Sequence, residues 1–116
     1  MAQARVRLRG ARNALAAGDA AVAVSAAYYA MLYAARAALS EEDLSAKTHS
    51  GTWTLFRETF VHSQRFDPEL VRRADRTLEL RLGADYEAEP VSQSQADAAT
   101  VLAERFVAAV EALYAD

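Results

Sequence analysis

Apolar residues recur along the chain at intervals of three and four, the spacing that places them on one face of an α-helix. Between about Gln3 and Ala17 they are Ala4, Leu8, Ala11 and Leu15, and Gly18 supplies the stop. Asp19 is then the expected N-cap of a second helix, whose body from Ala20 to Leu39 is apolar apart from Ser25 and Arg36. A helix apolar on every side is either the centre of a bundle or a membrane span. Alanine gains little from lipid and Arg36 would have to lie within the bilayer, so a central core helix is expected. After a polar connection from Ser40 to Ser50, Trp53, Phe56 and Phe60 mark a third helix ending near His62. Asp67-Pro68-Glu69 joins a cap, a proline at the first helical position and an acid in the first turn. It opens a fourth helix running to about Tyr86, with Pro90 beyond it. Ser92 or Ser94 caps a fifth, which carries Ala99, Leu102, Phe106, Val110 and Leu113 on one face. No stretch alternates as a strand would. The pattern predicts an all-α, antiparallel up-and-down helical bundle of four long helices plus a shorter one, with residues 1–116 as one domain.

Composition agrees and removes several kinds of chemistry. Alanine makes up about a quarter of the 116 residues, with only four Gly and two Pro, which favours long helices. The absence of Cys excludes disulfides, thiolate metal sites and a Cys nucleophile, and suits a reducing compartment. The first nine residues have no apolar run after their charges, so no signal peptide is expected and the location predicted is cytoplasmic, away from membranes. A net charge of −3 excludes a globally basic nucleic-acid binder but leaves room for a local basic patch. His49 and His62 show no metal-ligand spacing, and neither a P-loop nor a dinucleotide fingerprint is present, so no metal or cofactor is expected.

Charge on an unexpected face is the sharper signal. On the fourth helix Leu70, Val71, Ala74, Leu78 and Leu82 form one apolar stripe, and Arg81 and Asp85 fall on that same stripe. Buried charges must be paired or line a cavity. Two meanings stay open: an ion pair that fixes packing, with Arg36 as one possible participant, or a polar site at a dimer seam or cleft. Lys47-Thr48-His49-Ser50-Gly51 places a cation, hydroxyls and an imidazole at the start of the third helix, where either an anion or a simple cap fits. Arg5, Arg9 and Arg12 form a stripe on the first helix with Arg7 alongside, either a solvated face or a track for an acidic partner. Tyr28, Tyr29 and Tyr33 on the second helix are either core or a stacking platform for a base. Arg57 and His62 have an Arg-x4-His spacing but lie about 140° apart on an ideal helix, which reads as coincidence, with the pair standing as the rival site.

Three of these stretches, in this order, resemble the HEPN family, and more narrowly its short stand-alone bacterial and archaeal members. They are Ala23-Val24-Ser25-Ala26-Ala27-Tyr28-Tyr29-Ala30-Met31, Lys47-Thr48-His49-Ser50-Gly51 and Arg81-Leu82-Gly83-Ala84-Asp85-Tyr86. The resemblance runs from about Leu15 to Tyr114. It implies a helical homodimer with a cleft at the seam. It also implies either metal-independent RNA cleavage, often by a toxin paired with a minimal nucleotidyltransferase antitoxin, or binding of nucleotide, RNA or protein by inactive members. Active members pair an Arg, which steadies the scissile phosphate, with a His four to six residues later that handles a proton. Arg81 matches that Arg, but Asp85 and Tyr86 stand where the His would be. Ala27 replaces the Arg that relatives often carry before the Tyr pair. The expectation is therefore a module that binds RNA, nucleotide or a nucleotidyltransferase partner with little or no catalysis of its own. Arg81, Asp85 and Tyr86 are placed at the reactive position, and Lys47, His49 and Tyr29 are the expected nucleotide- or RNA-binding residues. The alternative is a ribonuclease toxin using Arg81 at the dimer seam.

Overall fold

In the computed structural model, which describes residues 1–86 and 90–115 (of 83–86 the backbone alone), the chain forms α1 (Ala2–Ala16), α2 (Ala20–Glu41), α3 (His49–Phe56), a π-helical turn (Arg57–Val61), α4 (Pro68–Tyr86) and α5 (Gln93–Leu113). The caps act as their chemistry requires. Asp19 accepts from the Val22 amide, Thr48 from the Gly51 amide, and Ser92 exchanges both bonds of a capping box with Gln95. Asp67 takes the Glu69 amide at 2.9 Å, just ahead of Pro68. Three helix ends close in the same way. At Gly18, Asp43 and Gln64 the backbone turns left-handed, at φ 77°, 59° and 62°. The next amide reaches back five residues in each case: Asp19 to Ala14, Leu44 to Leu39, Arg65 to Phe60.

Side-chain contacts fix the relative directions of the long helices. Arg5 pairs with Glu111 and Arg12 with Glu104 (2.9 Å), so α1 and α5 are antiparallel. Gln93 donates to the Leu15 carbonyl at one end and Tyr114 to the Ala38 carbonyl at the other, so α5 runs parallel to α2. Arg81, late in α4, bonds Ser25, early in α2, so α4 runs against α2, and consecutive long helices alternate in direction as expected for an up-and-down bundle.

The second helix is the axis of the core. Ala23, Val24, Ala27, Tyr28, Ala30, Met31, Leu32, Ala34, Ala35, Ala38 and Leu39 are all buried. Although α2 has the length and apolarity to cross a membrane, Ala23, Ala27, Ala30, Ala34, Ala35 and Ala38 are covered by the other helices. Against it pack Ala4, Leu8 and Ala11 from α1 and Ala99, Leu102, Phe106 and Val110 from α5. Below them an aromatic cluster joins the short helix to the rest. Trp53 meets Phe106 edge-on at 5.7 Å, and Phe56 stacks near Phe60 (4.7 Å) and Phe66 (5.0 Å). Each fully buried side chain of this size contributes about 1.5–3 kcal/mol, so this cluster anchors α3 firmly.

One expected stripe is rotated. Leu82 is exposed, and the buried face of α4 runs Leu70, Val71, Ala74 and Thr77 toward Arg81. Thr77 tolerates burial because its hydroxyl donates to the Arg73 carbonyl at 2.9 Å. The basic stripe on α1 remains largely exposed, with Arg5 and Arg12 pairing with acids along the rim of the α1–α5 seam.

Candidate functional site

Around α2 one narrow strip stays partly open: Ser25, Ala26, Tyr29, Tyr33, Arg36 and Ala37. These positions recur at helical spacing, so the few polar and aromatic residues of an apolar helix are gathered on one line. Arg81 reaches across from α4. Its Nε donates to Ser25 Oγ at 3.1 Å, and its guanidinium carbon lies 5.0 Å from the centre of the Tyr29 ring. Ser25 and Tyr29 are one turn apart, so a single guanidinium spans both. From α1, Arg7 lies over Tyr29 (5.6 Å) and Tyr33 (5.7 Å), whose rings are 6.0 Å apart. Two cations from two different helices thus converge on one tyrosine. Each cation–π contact contributes about 0.5–2 kcal/mol.

His49, the first residue of α3, closes the cluster. Its ring lies 5.8 Å from both Tyr28 and Tyr29, edge-on to the latter. The first turn of α3 is held in place by Arg36, which donates to Thr52 Oγ1, while the Thr52 hydroxyl donates to the Thr48 carbonyl at 2.8 Å. Beneath the imidazole, the buried Tyr28 hydroxyl accepts from Trp53 Nε1 at 3.1 Å. Burial and the positive charges of Arg36 and Arg81 hold the His49 pKa below its usual value. Burial pushes the Tyr28 phenol up, against the opposing effect of the Trp53 hydrogen bond. None of the ion pairs among the described residues includes Arg7, Arg36 or Arg81. The arrangement is a set of cations and π-faces suited to an anion carrying a flat group.

Three expected site residues are brought together here: Tyr29, His49 and Arg81. Lys47 is exposed. The side chains of Asp85 and Tyr86 lie outside the described residues, as does Gly83. The ion pair considered for Arg81 and Asp85, with Arg36 as a participant, falls on a carboxylate outside the described residues; among those residues Arg81 bonds the Ser25 hydroxyl and Arg36 the Thr52 hydroxyl. Arg57 and His62 are related differently from an ideal α-helix. The His62 amide bonds the Arg57 carbonyl (3.0 Å), a five-residue step within the π-helical turn. Arg57 is engaged with Asp75 of α4 at 2.8 Å, while His62 is exposed.

Ser25, Arg7 and Arg36 belong to the site without having been singled out for it. The signal for two of them was present: Ser25 and Arg36 are the interruptions in an otherwise apolar run and share the tyrosines' line. Nothing in the sequence separated Arg7 from its neighbours.

Comparison with known proteins defines the class. The HEPN domain profile matches residues 1–113, and the chain belongs to the HEPN family. It is similar to "UPF0332 protein glr0978" of Gloeobacter violaceus, 40% identical over 83 residues, covering 72% of this chain and 66% of that protein. Two proteins of Methanocaldococcus jannaschii are also similar. "Putative toxin MJ0142" is 35% identical over 57% of this chain and 45% of its own length. "Putative toxin MJ0605" is 32% identical over 73% of this chain and 63% of its own. The chain thus spans between 45% and 66% of the length of these relatives.

Proposed function

We propose that this HEPN module binds single-stranded RNA or a nucleotide at the Tyr29-centred site, as a cytoplasmic homodimer paired with a nucleotidyltransferase antitoxin, and has little or no cleavage activity of its own. The convergence of Arg7 and Arg81 on the Tyr29 ring, with His49 at its edge, carries this reading. Guanidinium groups recognise phosphate, and the half-buried Tyr29 and Tyr33 rings beside them offer aromatic surface to a base. The toxin names of two relatives support the toxin–antitoxin setting. Little cleavage is expected because the fourth helix lacks the family's proton-handling His after Arg81.

The test is binding of labelled single-stranded RNA with EDTA present, alongside the oligomeric state by light scattering. A dimer is expected, with binding that weakens as salt rises. Three phosphate contacts on a single strand give a slope of log K against log salt of about −2. Arg81→Ala should weaken binding about tenfold or more while leaving helicity intact. If neither RNA nor nucleotides bind, the reading fails. The second reading, a ribonuclease toxin, is favoured by one observation: His49 arrives from α3 beside the ring that Arg81 covers. Robust metal-independent cutting abolished by Arg81→Ala would establish it.

A further inference from the structure

We propose that the site takes its phosphate-bearing ligand together with a proton, and that His49 is the residue that carries it. This rests on the reading of the site as a phosphate-binding one and adds the charge chemistry that selects the ligand. The groups facing the imidazole come from every neighbouring element. From α2 they are Tyr28, Tyr29 and Arg36; from α4, Arg81; from α1, Arg7 across the Tyr29 ring; and Lys47 precedes it in the chain. The nearby acid of α4, Asp75, is already held by Arg57. Among the described residues the imidazole therefore sits beside arginines and π-faces; the Asp85 side chain, four residues after Arg81, lies outside them.

In the free protein a proton on His49 adds a further positive charge to this cluster and is disfavoured. Burial and the two nearest guanidinium groups act in the same direction. A phosphodiester lying against Arg7 and Arg81 brings a negative charge to the same place. It cancels the repulsion and gives the imidazole N–H an oxygen to bond, so the His49 pKa rises on binding. Proton and ligand then favour each other reciprocally. Below the free-protein pKa of His49 both states carry the proton, and above the bound-state pKa neither does. Between the two, affinity falls as pH rises, by at most tenfold per pH unit. His49 so becomes the titrating cation of the site, and it favours anionic ligands over neutral nucleosides.

The experiment uses the full chain and a 2′-O-methylated hexauridylate, which cannot undergo 2′-hydroxyl attack and whose diesters do not titrate near neutrality. Calorimetry at neutral pH in buffers of different ionisation enthalpy gives the protons taken up per complex. The expected result is a fraction of one proton for the wild-type protein and none for His49→Gln. Imidazole NMR of the wild-type protein reads the same event without a substitution: the His49 signal should titrate below the usual histidine range when free and move upward in the complex. The exposed His62 gives a second imidazole signal for comparison. Binding without proton uptake, or uptake that persists in His49→Gln, overturns the proposal while leaving the binding reading intact. Absence of binding by the wild-type protein overturns both.

Discussion

At the scale of single residues, the hydrogen bond between Trp53 and Tyr28 connects the core to the site. Both side chains are buried, and the bond joins α3 to α2 directly beneath His49. Trp53→Phe keeps an aromatic ring but removes the donor and leaves the Tyr28 hydroxyl without its partner. The cost expected is about 1–3 kcal/mol for the unsatisfied hydroxyl, plus a smaller loss for the volume removed. Urea unfolding followed by circular dichroism measures it, and a loss below about 0.5 kcal/mol would mean that the hydroxyl finds another partner. What the sequence revealed at this scale depended on contrast. Arg81 stood out because it lies on an apolar stripe, and Tyr29 and His49 because of the company they keep. Arg7 was hidden among four similar arginines, and only the packing of α1 on α2 shows that Arg5 and Arg12 face Glu111 and Glu104 whereas Arg7 faces two tyrosines. The rotation of one helix about its axis is a tertiary property, and nothing local encodes it.

At the scale of elements, the position of His49 depends on how α3 begins. The Thr48 hydroxyl accepts from the Gly51 amide at 2.9 Å, and a Cβ at Gly51 would stand 2.7 Å from that same oxygen. Gly51→Ala therefore forces the cap side chain away from its amide. The expected loss is about 1 kcal/mol, the usual contribution of such a cap. Because the displaced turn carries His49, RNA affinity should fall with it. Thr48→Ala removes the same bond without the clash, so the two variants should lose similar amounts of stability, with chemical denaturation as the check. A loss for Gly51→Ala several times larger would show that the backbone, not the hydroxyl, yields. The element pattern itself was legible: capping chemistry placed α2, α4 and α5, and hydrophobic spacing identified the buried face of α5 and the first half of that of α4. Two features were not. The π-helical turn after Phe56 leaves no mark in the residue types; it coincides with the Phe56–Phe60 ring contact and with Arg57 reaching Asp75, both tertiary features. Of the three left-handed helix ends, Gly18 announced itself; Asp43 and Gln64 occupy the same conformation without a glycine.

At the scale of the whole molecule, stability and binding draw on the same imidazole in opposite senses. His49 has a folded-state pKa below its unfolded value of about 6.5, because burial, Arg36 and Arg81 all oppose its protonation. Well above that value both states are neutral and the residue contributes nothing to pH dependence. As pH falls through it, the unfolded chain takes up the proton first, so the folded state loses stability until the folded pKa is passed. Glu69, lowered chiefly by its hydrogen bonds from Arg72, acts further down the scale: its contribution is present above the unfolded carboxylate value and is lost as pH drops through the folded one. The unfolding free energy should therefore fall between pH 7.5 and 5, and His49→Gln should flatten that decline. The ligand reverses the sign locally, since the bound anion raises the same pKa. In the presence of saturating 2′-O-methylated hexauridylate, the wild-type protein should lose less stability on acidification than it does alone, because ligand affinity grows over the interval in which the free fold weakens. Urea titrations at several pH values, with and without the oligonucleotide, measure all three slopes. A wild-type slope equal to that of His49→Gln would place the acid sensitivity elsewhere in the bundle and remove His49 from the cationic cluster that defines the site.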